Sequence, residues 1–380
     1  MLYSGVVKKV LIFSLAYYPH VGGAEVAVKE LTDRMTDLEF HMVTLRFFPQ
    51  DLAYEKIGNV HVYRVGRGSS STWTKFVYQF SAAREAELLH KEQQFDVLWA
   101  VMAHSAGVPA ALFKKHHPEV PYLLTLQEGD PPEAIERTMW PLRRWFNRAF
   151  TSADVVQAIS TFLGDWARRR GFAGPLEIVP NGVDVGKFMG EKAAHERVVL
   201  ITASRLVRKN AVDTIIRALP FLPNYVELAI AGVGDEEPKL RRLVTDLKLE
   251  NRVDFKGFVP HEKLPELLHT CDIFIRPSRS EGMGNSFIEA MAAGLPIVAT
   301  QEGGIADFLF DAKRNPDKPA TGWAVDVDNP EQIAEAVKDI IANPEAVNRV
   351  VETARTMALE KYDWDLLAKD MREKVFGKLL

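Results

Sequence analysis

Glu281 and Glu289 stand eight positions apart in Ser280-Glu281-Gly282-Met283-Gly284-Asn285-Ser286-Phe287-Ile288-Glu289. Carboxylates accept hydrogen bonds from vicinal hydroxyl pairs, which sugars and riboses supply. Gly282 and Gly284 let backbone N–H groups approach a ligand with no side chain in the way. Asn285 or Ser286 is expected to cap a helix whose apolar face is Phe287, Ile288, Met291 and Ala292, stopped by Gly294 and Pro296. An open helix N-terminus favours phosphate. Two diol-binding carboxylates beside such a turn suit a sugar joined to a nucleotide.

The elements that must position them read as two series of strands and helices. The first series has strand candidates at Val6–Leu15, Phe40–Arg46, Val60–Val65, Asp96–Val101, Pro121–Leu126, Val155–Ile159 and Glu177–Val179, with helices such as Glu25–Met35 and Lys75–Lys91 between them. The second runs through Arg197–Ala203, Val226–Ala231, Val253–Lys256, Ile273–Arg276, Pro296–Thr300 and Gly322–Val325. Two βα series imply two parallel-sheet domains, with a break near the polar stretch Asp184–Arg197. Ligands in such sheets bind beyond the carboxyl ends of the strands. Glycine-rich turns lie there: Gly22-Gly23, Gly232-Val233-Gly234 and Gly282-Met283-Gly284. None has the third glycine of the dinucleotide fingerprint, which disfavours a nicotinamide enzyme.

The chain has 380 residues, 47% of them hydrophobic, and a net charge of −4. That size accommodates two domains, and the charge gives no case for nucleic acid. A single cysteine, Cys271, excludes an intrachain disulfide and fits a reducing, cytoplasmic setting; ahead of a buried strand it reads as a packed thiol. Lys8-Lys9 before Val10–Ala16 imitates a signal peptide, but Tyr17-Tyr18-Pro19 follows in place of a small-residue cleavage site. No apolar run approaches a membrane span.

Several motifs in order resemble the retaining, nucleotide-sugar-dependent glycosyltransferases of family four (group 1), which have the GT-B fold. They are Gly22-Gly23-Ala24-Glu25, Pro180-Asn181-Gly182-Val183-Asp184, Ser204-Arg205-Leu206, Ala231-Gly232-Val233-Gly234, Phe255-Lys256-Gly257-Phe258, Pro277-Ser278 and Glu281-x7-Glu289. The resemblance covers nearly the whole chain. It implies two Rossmann-like α/β domains facing across a cleft: residues 1–185 on the acceptor side and 186–361 for the nucleotide sugar. A last helix, about 362–380 and centred on Trp364–Leu380, would pack back on the first domain.

The resemblance also implies roles. Arg205 would pair with the donor's diphosphate, and Gly22 and Gly23 would let their loop approach it. Glu281 would hold donor-sugar hydroxyls and Glu289 the ribose; backbone N–H groups near Asn285 and Ser286 would meet the phosphates, and Gly282, Met283 and Gly284 would also bind the donor. Gly257, Phe258 and Val259 would face the base of a UDP- or GDP-hexose. The family lysine five positions after the arginine is replaced by Asn210, leaving Lys209 to reach the phosphate. Gln127 stands where the family often has histidine, and a glutamine cannot titrate. Asn181 is placed on the acceptor or sugar side.

Retention follows from the resemblance, by a front-face route in which the leaving phosphate oxygen takes the acceptor's proton. No cofactor and no active-site metal are expected. Asp326-Val327-Asp328 reads as a surface strand end, not an Asp-x-Asp metal motif. Glu128 and Asp130, beyond a strand end, either bind the acceptor or form a polar turn before Pro131-Pro132. His104, after the fourth predicted strand, faces the cleft or is a plain loop residue. The acceptor could be a glycan, a lipid-linked sugar or a small molecule. Residues 137–150 mix arginines with tryptophans, which suits peripheral contact with a membrane interface. The preferred reading packs the aromatics inward with arginines in water, because Pro141 interrupts the pattern. Competing functions are a GT-B epimerase or phosphorylase and a non-catalytic sugar-nucleotide binder.

Overall fold

The structure is a computed structural model that describes residues 7–190 and 197–380. Val6 of the expected first strand, and residues 191–196 of the expected polar junction, lie outside the described residues. The chain divides into two compact units, 1–181 with 364–380, and 182–363. These junctions differ from the expected 185/186 and 361/362. Val183 N–H donates to the Tyr362 carbonyl (2.7 Å) and bridges Asp363, which keeps both strips in the second unit.

Among its described residues, unit 1 is built on eight strands: β1 (Lys8–Phe13), β2 (Leu38–Leu45), β3 (Tyr54–Ile57), β4 (Val60–Val65), β5 (Val97–Val101), β6 (Tyr122–Leu126), β7 (Val155–Ala158) and β8 (Leu176–Ile178). They pair in the order β3-β4-β2-β1-β5-β6-β7-β8. All pairs are parallel except β3 with β4. The β3 hairpin corrects the purely parallel expectation. Gly58 turns it at φ +56, and Asp33 Oδ1 accepts the Asn59 N–H (2.8 Å). Tyr54–Ile57 is half exposed at the sheet edge, so it lacks the apolar run that marks the inner strands.

On one side of this sheet, Val10, Ile12, Phe40, Met42 and Trp99 pack against the helix Gly23–Arg34 and the segment Trp364–Leu380. Phe376 meets Trp99 edge-on at 5.4 Å and Phe40 at 6.4 Å. The expected single last helix is three pieces: an α-helix Trp364–Asp370, a π turn Met371–Val375 and a 3₁₀ turn Phe376–Lys378. This path buries Met371, Val375 and Phe376 together. Alternate strand residues point the other way, where Phe13 meets Phe113 of the helix Ala103–His116 (6.5 Å). That helix packs between Thr72–Gln93 and Arg143–Thr151.

Unit 2 has six strands among its described residues: β9 (Val198–Ala203), β10 (Val226–Ala231), β11 (Val253–Gly257), β12 (Ile273–Arg276), β13 (Ile297–Ala299) and β14 (Trp323–Ala324). Their order is β11-β10-β9-β12-β13-β14, all parallel. The chain order reverses between β9 and β12. In sheets of this order the crevice at that switch point takes the ligand. Cys271 is buried just before β12, where its thiol hydrogen-bonds the Leu267 carbonyl (3.3 Å).

Candidate active site

Both neighbours of the switch point carry chemistry at their carboxyl ends. After β9 comes Ser204–Asn210, with Arg205 exposed and Lys209 half-buried. After β12 comes the loop of Glu281, which is only 8% exposed. Between them lies Arg276, the last residue of β12 and itself buried. Its Nη1 donates to Ser286 Oγ (2.9 Å), and its Nη2 donates to Asn210 Oδ1 (3.1 Å) and to Glu281 Oε2. Asn210 Nδ2 donates in turn to the Arg205 carbonyl (2.6 Å). The other Glu281 oxygen, Oε1, accepts the Gly282 N–H (3.0 Å). One network thus joins the Arg205 loop, the Glu281 loop and the start of the helix Asn285–Ala292. Sequence reading missed Arg276, which looked like the polar end of an apolar strand.

That helix begins differently from expectation. Gly284, at φ +89, occupies the N-cap position and offers no side chain to cap with. Ser286 Oγ is turned to Arg276. A Cβ at position 284 would lie 2.6 Å from the Phe287 ring, so glycine is required there on two counts.

The Gly232-Val233-Gly234 turn serves the same loop. Gly232 has φ +141, and a Cβ on it would stand 1.8 Å from the Ser204 carbonyl oxygen. Leu206 N–H donates to the Val233 carbonyl (2.9 Å), and Gly232 N–H donates to the Gly257 carbonyl (2.7 Å). The ends of β9, β10 and β11 are laced together, and Arg205 is presented from the lacing. Gly257 takes φ +66 with open space where a Cβ would be; Phe258 is 73% exposed and Val259 half-buried.

Glu289 is buried and its Oε1 lies 2.9 Å from His261 Nε2. The hydrogen bond to Glu289 raises His261 above its ordinary 6.5 despite partial burial. A raised folded-state pKa stabilises the fold fully below the unfolded value and ceases to do so as pH climbs through the folded one. The loss in melting temperature on His261→Gln is therefore expected to be largest below about pH 6.5 and to shrink in alkaline buffer. Thermal unfolding across pH measures this; a gap that stays constant with pH would break the link. His261 is more than half exposed, so the effect is small.

Both aspartates of Asp326-Val327-Asp328 are engaged. Asp328 is held below its ordinary value by the Arg279 guanidinium, and Asp326 by Gln332 and Arg314. Among the described residues, His90, His117 and Glu119 lie close enough together to share an ion. Burial lowers His90 below 6.5, keeping it neutral near pH 7, and its Nδ1 accepts the Phe95 N–H (3.1 Å). Its other nitrogen then carries the proton and has no lone pair to give a metal.

In unit 1, Gly22 N–H donates to Glu25 Oε2 (2.7 Å) at the start of the helix Gly23–Arg34, and a Cβ on Gly23 would meet nothing within 4 Å. Glu128 is buried at 2% exposure, not in a solvent-facing turn. It accepts the Ala103 N–H (2.6 Å) at the start of the helix Ala103–His116, and the Gln127 N–H (3.0 Å). His104 Nδ1 stands 3.4 Å from it and is 37% exposed, the outward member of the pair. Asn181 Nδ2 donates to Gln127 Oε1 (3.2 Å), both buried. Asp130 is exposed. Unit 1 therefore groups His104 with Glu128, and Gln127 with Asn181.

Residues 137–150 divide their aromatics. Phe146 and Phe150 are buried against Trp166. Trp140 is 66% exposed with Arg143 over its ring at 5.5 Å, and Trp145 lies under Arg148 and Lys115 at 5.9 and 6.0 Å. Pro141 sits in a 3₁₀ turn, Trp140–Leu142, between two helices. No helix among the described residues is long and apolar enough to cross a membrane.

Two family models match consecutive stretches: Glycosyltransferase Family 4 over residues 21–187 and Glycosyl transferases group 1 over residues 187–357. A GDP-mannose-dependent alpha-(1-6)-phosphatidylinositol monomannoside mannosyltransferase of Mycolicibacterium smegmatis is 31% identical over 263 residues, 63% of this chain and 67% of that protein. Its namesake in Mycobacterium tuberculosis is 26% identical over 97% of this chain and 98% of its own length. Sucrose-phosphate synthase from Thermosynechococcus elongatus has the same fold, with a TM-score of 0.82 at 18% identity over 98% of this chain and 99% of that one. With two parallel-sheet units and these matches, the chain belongs to the family-four, group 1 glycosyltransferases and is a hexosyltransferase of GT-B fold.

Proposed function

We propose that the protein transfers mannose from GDP-mannose to a lipid-linked sugar, with retention and without a metal. The observation that carries the reading is the network at the unit 2 switch point. It joins the Arg205 loop, Arg276, a helix start and a buried carboxylate, which supports binding of a diphosphate next to sugar hydroxyls. The two mannosyltransferase relatives support GDP-mannose as donor and a lipid-linked acceptor. Arg205, Lys209 and the helix start at Asn285 stabilise charge on the departing diphosphate; such a donor is worth about 3–4 kcal/mol. Glu281 orients the mannosyl hydroxyls and Glu289 the ribose, with Phe258 against the base. The leaving phosphate oxygen takes the acceptor proton, so no protein base is needed. Gln127, His104, Asp130 and Asn181 serve the acceptor side. A panel of GDP- and UDP-hexoses, scored by nucleotide release with and without EDTA, should select GDP-mannose and be indifferent to EDTA. NMR of the product should show an α-linkage. Preference for a UDP-sugar, or inversion, would overturn the respective part.

A lipid-linked acceptor calls for a membrane-facing surface, and unit 1 offers a candidate. Trp73, Phe76, Val77 and Phe80 form an exposed stripe at i, i+3, i+4 and i+7 on the helix Thr72–Gln93. Residues 56–84 hold no Asp or Glu, and neither do residues 137–153, which carry Arg137, Arg143, Arg144 and Arg148. Exposed tryptophans beside segments rich in arginine and free of acids match an anionic bilayer. Trp73→Ser with Phe76→Ser should abolish cosedimentation with phosphatidylglycerol vesicles, and salt should weaken wild-type binding; wild type that ignores such vesicles would end the proposal.

A further inference from the structure

Arg276 is a cation that stability alone does not explain. A buried ion pair such as Arg276–Glu281 is about break-even against well-packed apolar residues. Here the guanidinium also leaves Nε buried with no partner among the described residues, an added cost. Such a group is kept for what its charge does.

We propose that Arg276 is a further cation directed at the donor's diphosphate, delivered from β12 into the place of the side chain at position 210. The inference rests on the reading of unit 2 as the nucleoside-diphosphate-sugar site. The geometry is specific. Position 210, five residues after Arg205, carries an uncharged asparagine, whose Oδ1 accepts from Arg276 Nη2 at 3.1 Å. The charge that residue 210 lacks is thus one hydrogen bond away, on another strand. Its remaining contacts belong to the same site: Ser286 at the helix start and Glu281 in the loop.

The pairing with Glu281 has its own logic. A bare carboxylate placed for sugar hydroxyls would repel the negative charge growing on the diphosphate beside it. Arg276 neutralises that carboxylate without blocking it, because Glu281 uses only Oε2 for the pair and a carboxylate oxygen has two lone pairs. The pair carries no net charge, and its guanidinium end meets the leaving group as a positively polarised donor shared between Glu281 and diphosphate.

The test moves the charge. Affinities for GDP and GMP are measured by calorimetry, with turnover, for wild type, Arg276→Leu, Arg276→Lys and the double variant Arg276→Leu with Asn210→Lys. A cation aimed at the diphosphate favours GDP over GMP, whereas a merely structural residue shifts both alike. Arg276→Leu should cut the GDP:GMP preference about tenfold and turnover about a hundredfold, the worth of one donor to a developing oxyanion. The double variant should recover most of both, because its introduced lysine restores a cation beside Glu281. Arg276→Lys keeps the charge and should keep the preference, which secures the test if the leucine variant fails to fold. An unchanged GDP:GMP ratio in folded Arg276→Leu, a loss of preference in Arg276→Lys, or a folded double variant no better than the single one overturns the proposal. Wild type that binds no nucleoside diphosphate would instead overturn the reading of unit 2 itself.

Discussion

Replacing Glu281 with alanine is expected to damage the protein twice. The side chain is buried and pairs with an equally buried Arg276. Removing it strands the guanidinium in a low-dielectric site, which costs about 3–5 kcal/mol. It also removes the carboxylate assigned to the transferred sugar, for a further loss of about 10²–10³ in turnover. Glutamine separates the two effects. Glu281→Gln keeps one oxygen for Arg276 but turns its amide NH2 toward the Gly282 N–H, so its melting temperature should fall, though less than that of the alanine variant. Its turnover should fall nearly as far, because an amide holds a sugar diol more weakly than a carboxylate does. Calorimetric unfolding beside steady-state transfer measures both. A glutamine variant with wild-type turnover would reduce Glu281 to an anchor for Arg276.

Gly232→Ala should be the most damaging single-carbon change in unit 2. The new Cβ would fall 1.8 Å from the Ser204 carbonyl oxygen, a backbone atom with no rotamer to escape into. Positive φ adds its own penalty. Together these amount to about 3 kcal/mol, or a melting temperature lower by about 6–12 °C for a unit of this size. Relief requires the Ser204–Leu206 strip to move, so donor affinity should fall as well. Gly23→Ala is the matched control: a Cβ there meets nothing within 4 Å, and its melting temperature should stay near wild type. Equal melting of Gly232→Ala and wild type would show that the β9 and β10 turns are not locked together.

Gly232 and Arg276 mark the limits of what could be read in the chain. Of the fourteen strands among the described residues, thirteen were placed from the chain, the inner ones as apolar runs between turns; the exception, Tyr54–Ile57, lies at an edge with half its side chains in solvent. Gly232 was visible as a turn glycine, but its task was not. It makes room for Ser204, which only the pairing of β9 with β10 brings near. Arg276 was invisible as a site residue for the same reason. Its partner Asn210 is 66 positions away, and hydrogen bonds of that span leave no periodicity. Glu128 looked like loop polarity because the Ala103 N–H it accepts lies 25 residues earlier. Composition records which groups must be satisfied, and tertiary structure decides by whom.

Trp364–Leu380 closes the aromatic face of unit 1 through Trp364, Met371 and Phe376, although the ribosome makes it only after all of unit 2. During synthesis Phe40 and Trp99 must wait uncovered while 182–363 is translated. At about 5–20 residues per second that exposure lasts roughly ten seconds or more. The second-made unit is thus the first able to finish folding. A nascent chain arrested short of Trp364 presents an apolar surface of the kind chaperones grip, and Trp364–Leu380 is the segment that removes it.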